Sequence, residues 1–275
     1  MPARSAVPER RRDGVQSLDR ALDVLETLAA SGELGVSEVA ARTGLVVSTA
    51  HRLLAGLANR GYVGQNPANG RYALGFKVLE LAGGLEVRTS PLRAAARPHL
   101  ERVQQATSET TNLAILDGDR VVYVDQVEGS HSVRMFTRLG SSALAHTTGS
   151  GKAILTHRPP EVIEKLYPRT REPFERPTPQ TLTTLEALRD DFVRIRRRGY
   201  ALDREEHEEG VSCVATPVFD RTGLACGAIS ISGPTARIDQ ADTAALGKLL
   251  RRHAAAVSAA LGHRETPASA RSHAV

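Results

Sequence analysis

Residues 36–61 read VSEVAARTGLVVSTAHRLLAGLANRG, and the fold of the N-terminal part turns on how they divide. Gly44-Leu45 interrupts two apolar-periodic segments. Before it, VSEVAART is long enough for two helical turns, with Ser37 suited to the helix start and Val39-Ala40 facing inward. After it, VVSTAHRLLAGLANRG predicts a longer helix, with Ser48 placed to cap it, Leu53, Leu54 and Leu57 as its apolar stripe and Gly61 as its stop. Two helices across a glycine turn make a helix-turn-helix. Upstream, Val15, Leu18, Leu22, Leu25 and Leu28 fall at helical spacing before Gly32, predicting a first helix over 15–31. Downstream, YVGQ and RYALG flank NPANG, whose Asn69-Gly70 predicts a hairpin. Residues 15–75 therefore predict a winged helix-turn-helix, followed by a linker helix over 76–90.

The remainder has a different texture. Pro91 opens a long helix expected to bend or break near Pro98. TNLAILD and RVVYVDQV flank Gly118-Asp119 as a hairpin, and SVRMFTRLG reads as a further strand. SGKAILTHR, PEVIEKLY and TLEALRDDFVRIRRRGY read as helices, YALD, VSCVATPVF and GLACGAISISG as strands, and IDQADTAALGKLLRRHAAAVSAALG as a closing helix. Helices flanking one mostly antiparallel sheet over 91–262 give an α+β fold class for the chain. Residues 1–14, with Arg10, Arg11 and Arg12, read as a flexible arm, and 263–275 as a disordered tail.

The bulk numbers limit the function. The 275-residue chain has a formal charge of +5, which permits nucleic-acid binding at a localised patch without demanding it. Two cysteines, Cys213 and Cys226, do not make a disulfide scaffold. No apolar run approaches a membrane span and the N-terminus lacks a secretory apolar core, so a cytoplasmic protein without membrane contact is expected.

A helix-turn-helix presents the start of its second helix to the major groove of double-stranded DNA, here Ser48, Thr49, His51 and Arg52. Hydroxyls reach phosphates or base edges, and Arg52 suits guanine or phosphate. Gln16, Ser17, Arg20 and Ser37, near the starts of the first two helices, suit phosphates, while Asn69 and Arg71 would reach out from the wing. An interaction module that never touches DNA is the competing reading of the same pattern.

In the C-terminal part, ALDREEHEEGVSCVATPV (201–218) concentrates carboxylates, His207 and Cys213. A zinc site from Asp203, His207 and Cys213 matches no strong metal spacing, so no metal or cofactor is expected. A Cys213 nucleophile is opposed by its acidic neighbours, and no nucleophile elbow appears, so no catalytic residue is assigned and the chain is not expected to be an enzyme. Most of 205–209 is read as a solvated acidic loop. GSGKA (149–153) fails the phosphate-loop pattern, since His146 and Ala153 stand where glycine and a hydroxyl residue belong. It reads instead as a helix start whose Gly149, Ser150 and Gly151 N–H groups point to an anion, with Lys152 structural or solvent-facing. Ser230 and Ser232, two apart, share one strand face, opposite Ile229 and Ile231.

The segments VQSLDRALDVLETLA, GVSEVAARTGLVVSTAHRLLAGLANRGYV and GRYALGFKVLELA resemble the IclR family of bacterial transcription regulators. The likeness continues through VVYVDQVEGSHSVRMFTRLGSSALAHTTGSGKAIL and RRRGYALDREEHEEGVSCVATPVFDRTGLACGAISISGP. It implies a GAF-like effector-binding domain behind the DNA-binding domain, assembly as a homodimer or homotetramer, and a palindromic operator. It also implies an effector pocket lined by Gly149, Ser150, Asp203, Cys213, Ser230 and Ser232, with Met135, Leu139, Leu144 and Ala145 as its apolar wall. Such a cup suits a small carboxylate, and Asp203 asks for a further hydroxyl, amide or protonated group on it. The expected function is a ligand-responsive repressor; the alternative is a sensor or enzyme with an N-terminal module that does not bind DNA. Two departures stand out. Val46-Val47 replaces the family's common Pro-Lys before the recognition helix, and Gly149 opens a segment where alanine is common.

Overall fold

The computed structural model describes residues 15–135 and 137–264, and these fall into two compact units divided between Arg88 and Thr89. The expected arm at 1–14, with Arg10 to Arg12, lies outside the described residues, as does the tail from 265.

The first unit is the expected winged helix-turn-helix. Helices α1 (Gln16–Ser31), α2 (Val36–Thr43) and α3 (Val47–Asn59) precede strands β1 (Val63–Gln65) and β2 (Tyr72–Leu74), which pair antiparallel. Gly44 closes α2 in the left-handed region at φ +69°, a conformation that a side chain would strain. Its core joins Val24, Leu28, Leu34, Val39, Ala40, Ala50, Leu54, Val63 and Tyr72. Two details differ from the sequence reading. Val15, Leu18 and Leu22 are exposed, because the buried side of α1 is carried by Val24 and Leu28. Ser48 does not cap α3: Val46 occupies that position without a side-chain bond, and Ser48 lies exposed in the first turn.

Helix α4 (Lys77–Thr107) is continuous through Pro91 and Pro98, where a separate linker helix and a break were expected. Each proline removes one helical hydrogen bond. Burial of Ala96, Leu100 and Val103 against the second unit's core holds the turns that follow.

In the second unit, β3 (Thr110–Asp117), β4 (Arg120–Val127), β5 (Ser142–Leu144), β6 (Ala201–Arg204), β7 (Val211–Phe219) and β8 (Ala225–Pro234) form one sheet in the order β5-β4-β3-β8-β7-β6, antiparallel throughout. The expected strand at 132–140 is absent among the described residues, where the chain runs in bends and turns. The expected closing helix is two: α8 (Thr235–Gln240) and α9 (Thr243–Ala260), the latter capped by Asp242, whose carboxylate accepts the Ala244 N–H at 2.9 Å. No helix among the described residues is long and apolar enough to cross a membrane.

The two sheet faces have different chemistry because side chains alternate along a strand. Leu113, Val214, Val218, Ile229 and Ile231 meet Leu100 and Val103 of α4 and Leu250 and Val257 of α9 in one apolar core. The opposite face carries Ala114, Cys213, Ala215 and Ala228, and over it lie α5 (Gly149–Leu155) and α7 (Leu185–Arg198), with α6 (Pro160–Leu166) also contributing Ile163 to that core. Small residues let α5 sit close. A Cβ on Gly151 would fall 2.1 Å from the Ala145 carbonyl oxygen, which no real contact allows. Gly151→Ala should therefore cost about 1–3 kcal/mol and lower Tm by roughly 5 °C. Gly84→Ala, at an open position of α4 with nothing within 4 Å, should leave Tm unchanged or raise it; thermal unfolding of the two variants checks the contrast.

Candidate functional site

In α3 the buried residues Ala50 and Leu54 face the core, while Ser48, His51 and Arg52 are exposed and Thr49 is half-buried. Gln16, Ser17 and Ser37 are exposed and Arg20 is half-buried. The wing residues are engaged within the unit. Asn69 donates to a Glu33 carboxylate oxygen at 3.1 Å, and Arg71 donates to the Glu33 carbonyl at 3.0 Å while pairing with Glu38 at 2.7 Å. These contacts fasten the hairpin to the start of α2; the exposed end of α3 bears no comparable pairing among the described residues.

The second unit brings most of its sequence-predicted residues together. Cross-strand register sets Asp203 beside Cys213, Cys213 beside Ser232, and Ala215 beside Ser230. Residues directly opposite share a face, so all of these point toward α5. Helix α5 starts there: an added Cβ on Gly149 would lie 3.1 Å from the Cys213 sulfur. Thr148 caps α5, its hydroxyl oxygen accepting the Gly151 N–H at 3.0 Å. That bond takes Gly151 out of the expected anion-binding set and leaves Gly149 and Ser150 with no acceptor inside the helix. Ala145 abuts the Gly151 backbone, and Leu144 is a buried strand end whose carbonyl accepts from Thr147. Met135 is tied in by its carbonyl, which accepts the Thr110 hydroxyl at 2.7 Å. Leu139 is exposed, and no described contact joins it to the site.

Several site residues escaped the sequence reading. Asn112 of β3 lies opposite Ser230 and donates through Nδ2 to the Ser232 hydroxyl at 3.4 Å. Tyr123 and His207, the latter weighed from sequence as a zinc ligand, line a cleft of about 290 Å³ with Arg138, Ala143 and Met135, the last being the one predicted effector residue on its wall. His207 Nδ1 lies 3.0 Å from the Thr147 hydroxyl. The expected solvated acidic loop is anchored by its second glutamate. Glu206 is buried and takes the ammonium of Lys152 at 2.6 Å on both carboxylate oxygens, while Lys152, itself 1% exposed, also pairs with Asp191 of α7 at 3.0 Å. A lysine in a GSGK segment carries no sequence sign of burial. The one available signal is two acidic residues downstream in separate elements.

Burial governs the titration here. It raises the Asp203 carboxyl to about 7, helped by the neighbouring Glu206 charge and opposed by Lys152. The Cys213 thiol is pushed up to about 12 by burial and by Asp203, which disfavours a thiolate nucleophile. Burial also raises the Tyr123 phenol and lowers the His207 imidazole. The groups that the register gathers at the start of α5 are thus hydroxyls, a thiol and a carboxyl whose proton burial favours, beside two helix-start N–H groups.

A winged helix-turn-helix with an exposed recognition-helix start, joined in one chain to a domain that gathers such polar groups between an antiparallel sheet and a helix start, points to a DNA-binding transcription regulator with a ligand-sensing domain. Residues 17–67 match the family model described as the IclR helix-turn-helix domain, and residues 85–259 that of the bacterial transcriptional regulator IclR C-terminal region. The chain belongs to the IclR family. It is 40% identical over 233 residues to the HTH-type transcriptional regulator BhcR of Paracoccus denitrificans, covering 85% of this chain and 82% of that one. It is 35% identical over 251 residues to the transcriptional repressor IclR of Escherichia coli, covering 90% of each. Among solved structures, an IclR homologue from Microbacterium hydrocarbonoxydans complexed with 4-hydroxybenzoate superposes with a TM-score of 0.73 at 30% identity, over 89% of this chain and 98% of that one.

Because folding raises the Asp203 pKa from 3.8 to about 7, the folded state holds this proton more tightly than the unfolded chain. Its contribution is favourable while both states are protonated and is lost as pH rises through that window. Asp203→Asn removes the penalty, so its Tm relative to the parent should rise between about pH 4 and about pH 7 and level off above it. An offset that stays flat in pH-dependent thermal unfolding contradicts the assignment.

Proposed function

We propose that this chain is a cytoplasmic repressor that binds a palindromic operator as a homodimer or homotetramer and responds to a small carboxylate. The observation that carries the DNA-binding half is the start of α3, where Ser48, His51 and Arg52 stand exposed while Ala50 and Leu54 anchor the helix behind them. Thr49 joins them at the groove, and Gln16, Ser17, Arg20 and Ser37 hold phosphates. Asn69 and Arg71 reach DNA only by exchanging their bonds to Glu33 and Glu38 for phosphate oxygens. Repression agrees with the role of the Escherichia coli relative, a transcriptional repressor.

The carboxylate sits between the α5 start at Gly149 and Ser150 and the strands carrying Asp203, Cys213, Ser230 and Ser232. Hydroxyl and N–H donors replace water around the anion, and Asp203 in its acid form adds another donor. Met135, on the segment before β5, and the buried Leu144 and Ala145 belong to its apolar surround; Leu139, exposed here, does not. That a structural relative holds an aromatic carboxylate supports this class. Effector binding shifts the population between DNA-competent and DNA-incompetent arrangements, and linkage makes operator DNA change effector affinity by the same factor.

Arg52→Ala should weaken sequence-selective binding to the gene's own upstream DNA by about ten-fold or more in a gel shift, with effector binding intact. Unchanged operator affinity would remove Arg52 from the interface. The double variant Ser230→Ala, Ser232→Ala should bind operator normally yet no longer release it with effector; normal release would displace the pocket from these strands.

A further inference from the structure

Asn112 is buried at 1% exposure on β3, directly across from Ser230 of β8. Its amide nitrogen is used, donating to the Ser232 hydroxyl at 3.4 Å. Its carbonyl oxygen Oδ1 has no hydrogen-bond partner among the described residues, and the Ser230 hydroxyl meets only the Cys213 thiol, a weak partner, with no oxygen or nitrogen atom bonded to it. Two poorly satisfied polar atoms on paired residues of a sheet centre are unusual, since a buried polar group without a partner costs about 1–3 kcal/mol. Both belong to the face that meets the start of α5. Asp203 is not an equivalent acceptor, because its Oδ1 already takes the Glu206 N–H at 2.8 Å.

The demand is specific. Ser230 offers a proton, and Asn112 Oδ1 needs one. A hydroxyl accepts the first and donates the second, satisfying both atoms at once. A keto oxygen satisfies Ser230 alone, and a methyl group satisfies neither. Ser232, which accepts from Asn112, keeps its own proton for a carboxylate, alongside the Gly149 and Ser150 N–H groups. We propose that Asn112 is a specificity-determining residue of the effector site and that the effector bears a hydroxyl as well as its carboxylate. The inference rests on the carboxylate reading above and adds to it the hydroxyl and the residue that recognises it.

Three pairs of probes matched but for the hydroxyl test it: glycolate and acetate, lactate and propionate, 4-hydroxybenzoate and benzoate. Each is titrated calorimetrically into the full chain. The hydroxylated member of the pair that fits should bind about ten-fold tighter or more. Asn112→Ala should erase that preference while the unhydroxylated partner still binds, and Asn112→Asp, which retains an acceptor oxygen, should keep it. Equal affinity within every pair that binds overturns the proposal and leaves the carboxylate reading standing. So does a preference that survives Asn112→Ala, which would mean that a group other than Asn112 recognises the hydroxyl. Binding by none of the six overturns the carboxylate reading and the hydroxyl with it. If Asn112→Ala does not fold, the matched pairs on the parent chain still decide.

Discussion

Lys152 holds the sensing domain's polar half together. Its ammonium is enclosed between Glu206, on the turn after β6, and Asp191 of α7, so one side chain of α5 fastens three elements. A buried charge trio adds little net stability, because desolvation offsets most of the attraction. Its effect is geometric. An ammonium this deep tolerates few arrangements of its partners, so α5 cannot slide along the sheet without stranding a charge. Fixing α5 fixes where Gly149 meets Cys213, and fixing Glu206 fixes the N–H that holds Asp203. Thr178 and Thr181 strengthen the same turn by donating to the carbonyls of Glu205 and Glu206.

What could be read from the sequence was what local rules encode. The helix-turn-helix, the wing and both C-terminal hairpins depend on apolar period and on glycines such as Gly44, Gly70 and Gly118, all of which adopt positive φ. Ser230 and Ser232 could be assigned to one face from spacing alone, and Cys213 and Asp203 do lie next to them in the register. What depends on distant partners was hidden. Asn112 reaches Ser232 across 120 residues, and nothing in TTNLAILD separates it from a loop-facing polar residue. For Lys152 the sequence left a structural and a solvent-facing role open, because its counter-ions lie 39 and 54 positions downstream at Asp191 and Glu206. Pro91 and Pro98 argued for interruptions, and burial of the turns that follow overrode them.

The contrast between the sheet's faces explains how one domain can be both rigid and responsive. On the side of α4 and α9, branched and long aliphatic residues interlock, and removing any of them opens a cavity. On the side of α5 the strands themselves present small and polar residues, Ala114, Cys213, Ala215 and Ser230, and the bulk of the apolar core comes from the helices through Ile154, Leu188, Phe192 and Ile195, so the sheet's own contacts at the start of α5 are largely polar. Polar contacts can be exchanged for ligand contacts at little net cost, whereas interlocked aliphatic packing cannot. At the proposed site, a ligand beside Cys213 and Ser230 would act on the face whose packing is easier to bias.

The same logic sets what the ligand must supply. A ligand shifts a conformational equilibrium only by the difference between its affinities for the two states. Poorly satisfied atoms such as Ser230 Oγ and Asn112 Oδ1 carry an unmet cost in this arrangement of β3, β8 and α5. A ligand that satisfies them lowers the free energy of that arrangement by more than contact area alone would give, and does so only where both strands and the helix start are in register. The poorly satisfied polar atoms are thus where binding energy is most strongly tied to one arrangement of the fold, which is the condition for a small molecule to alter DNA binding.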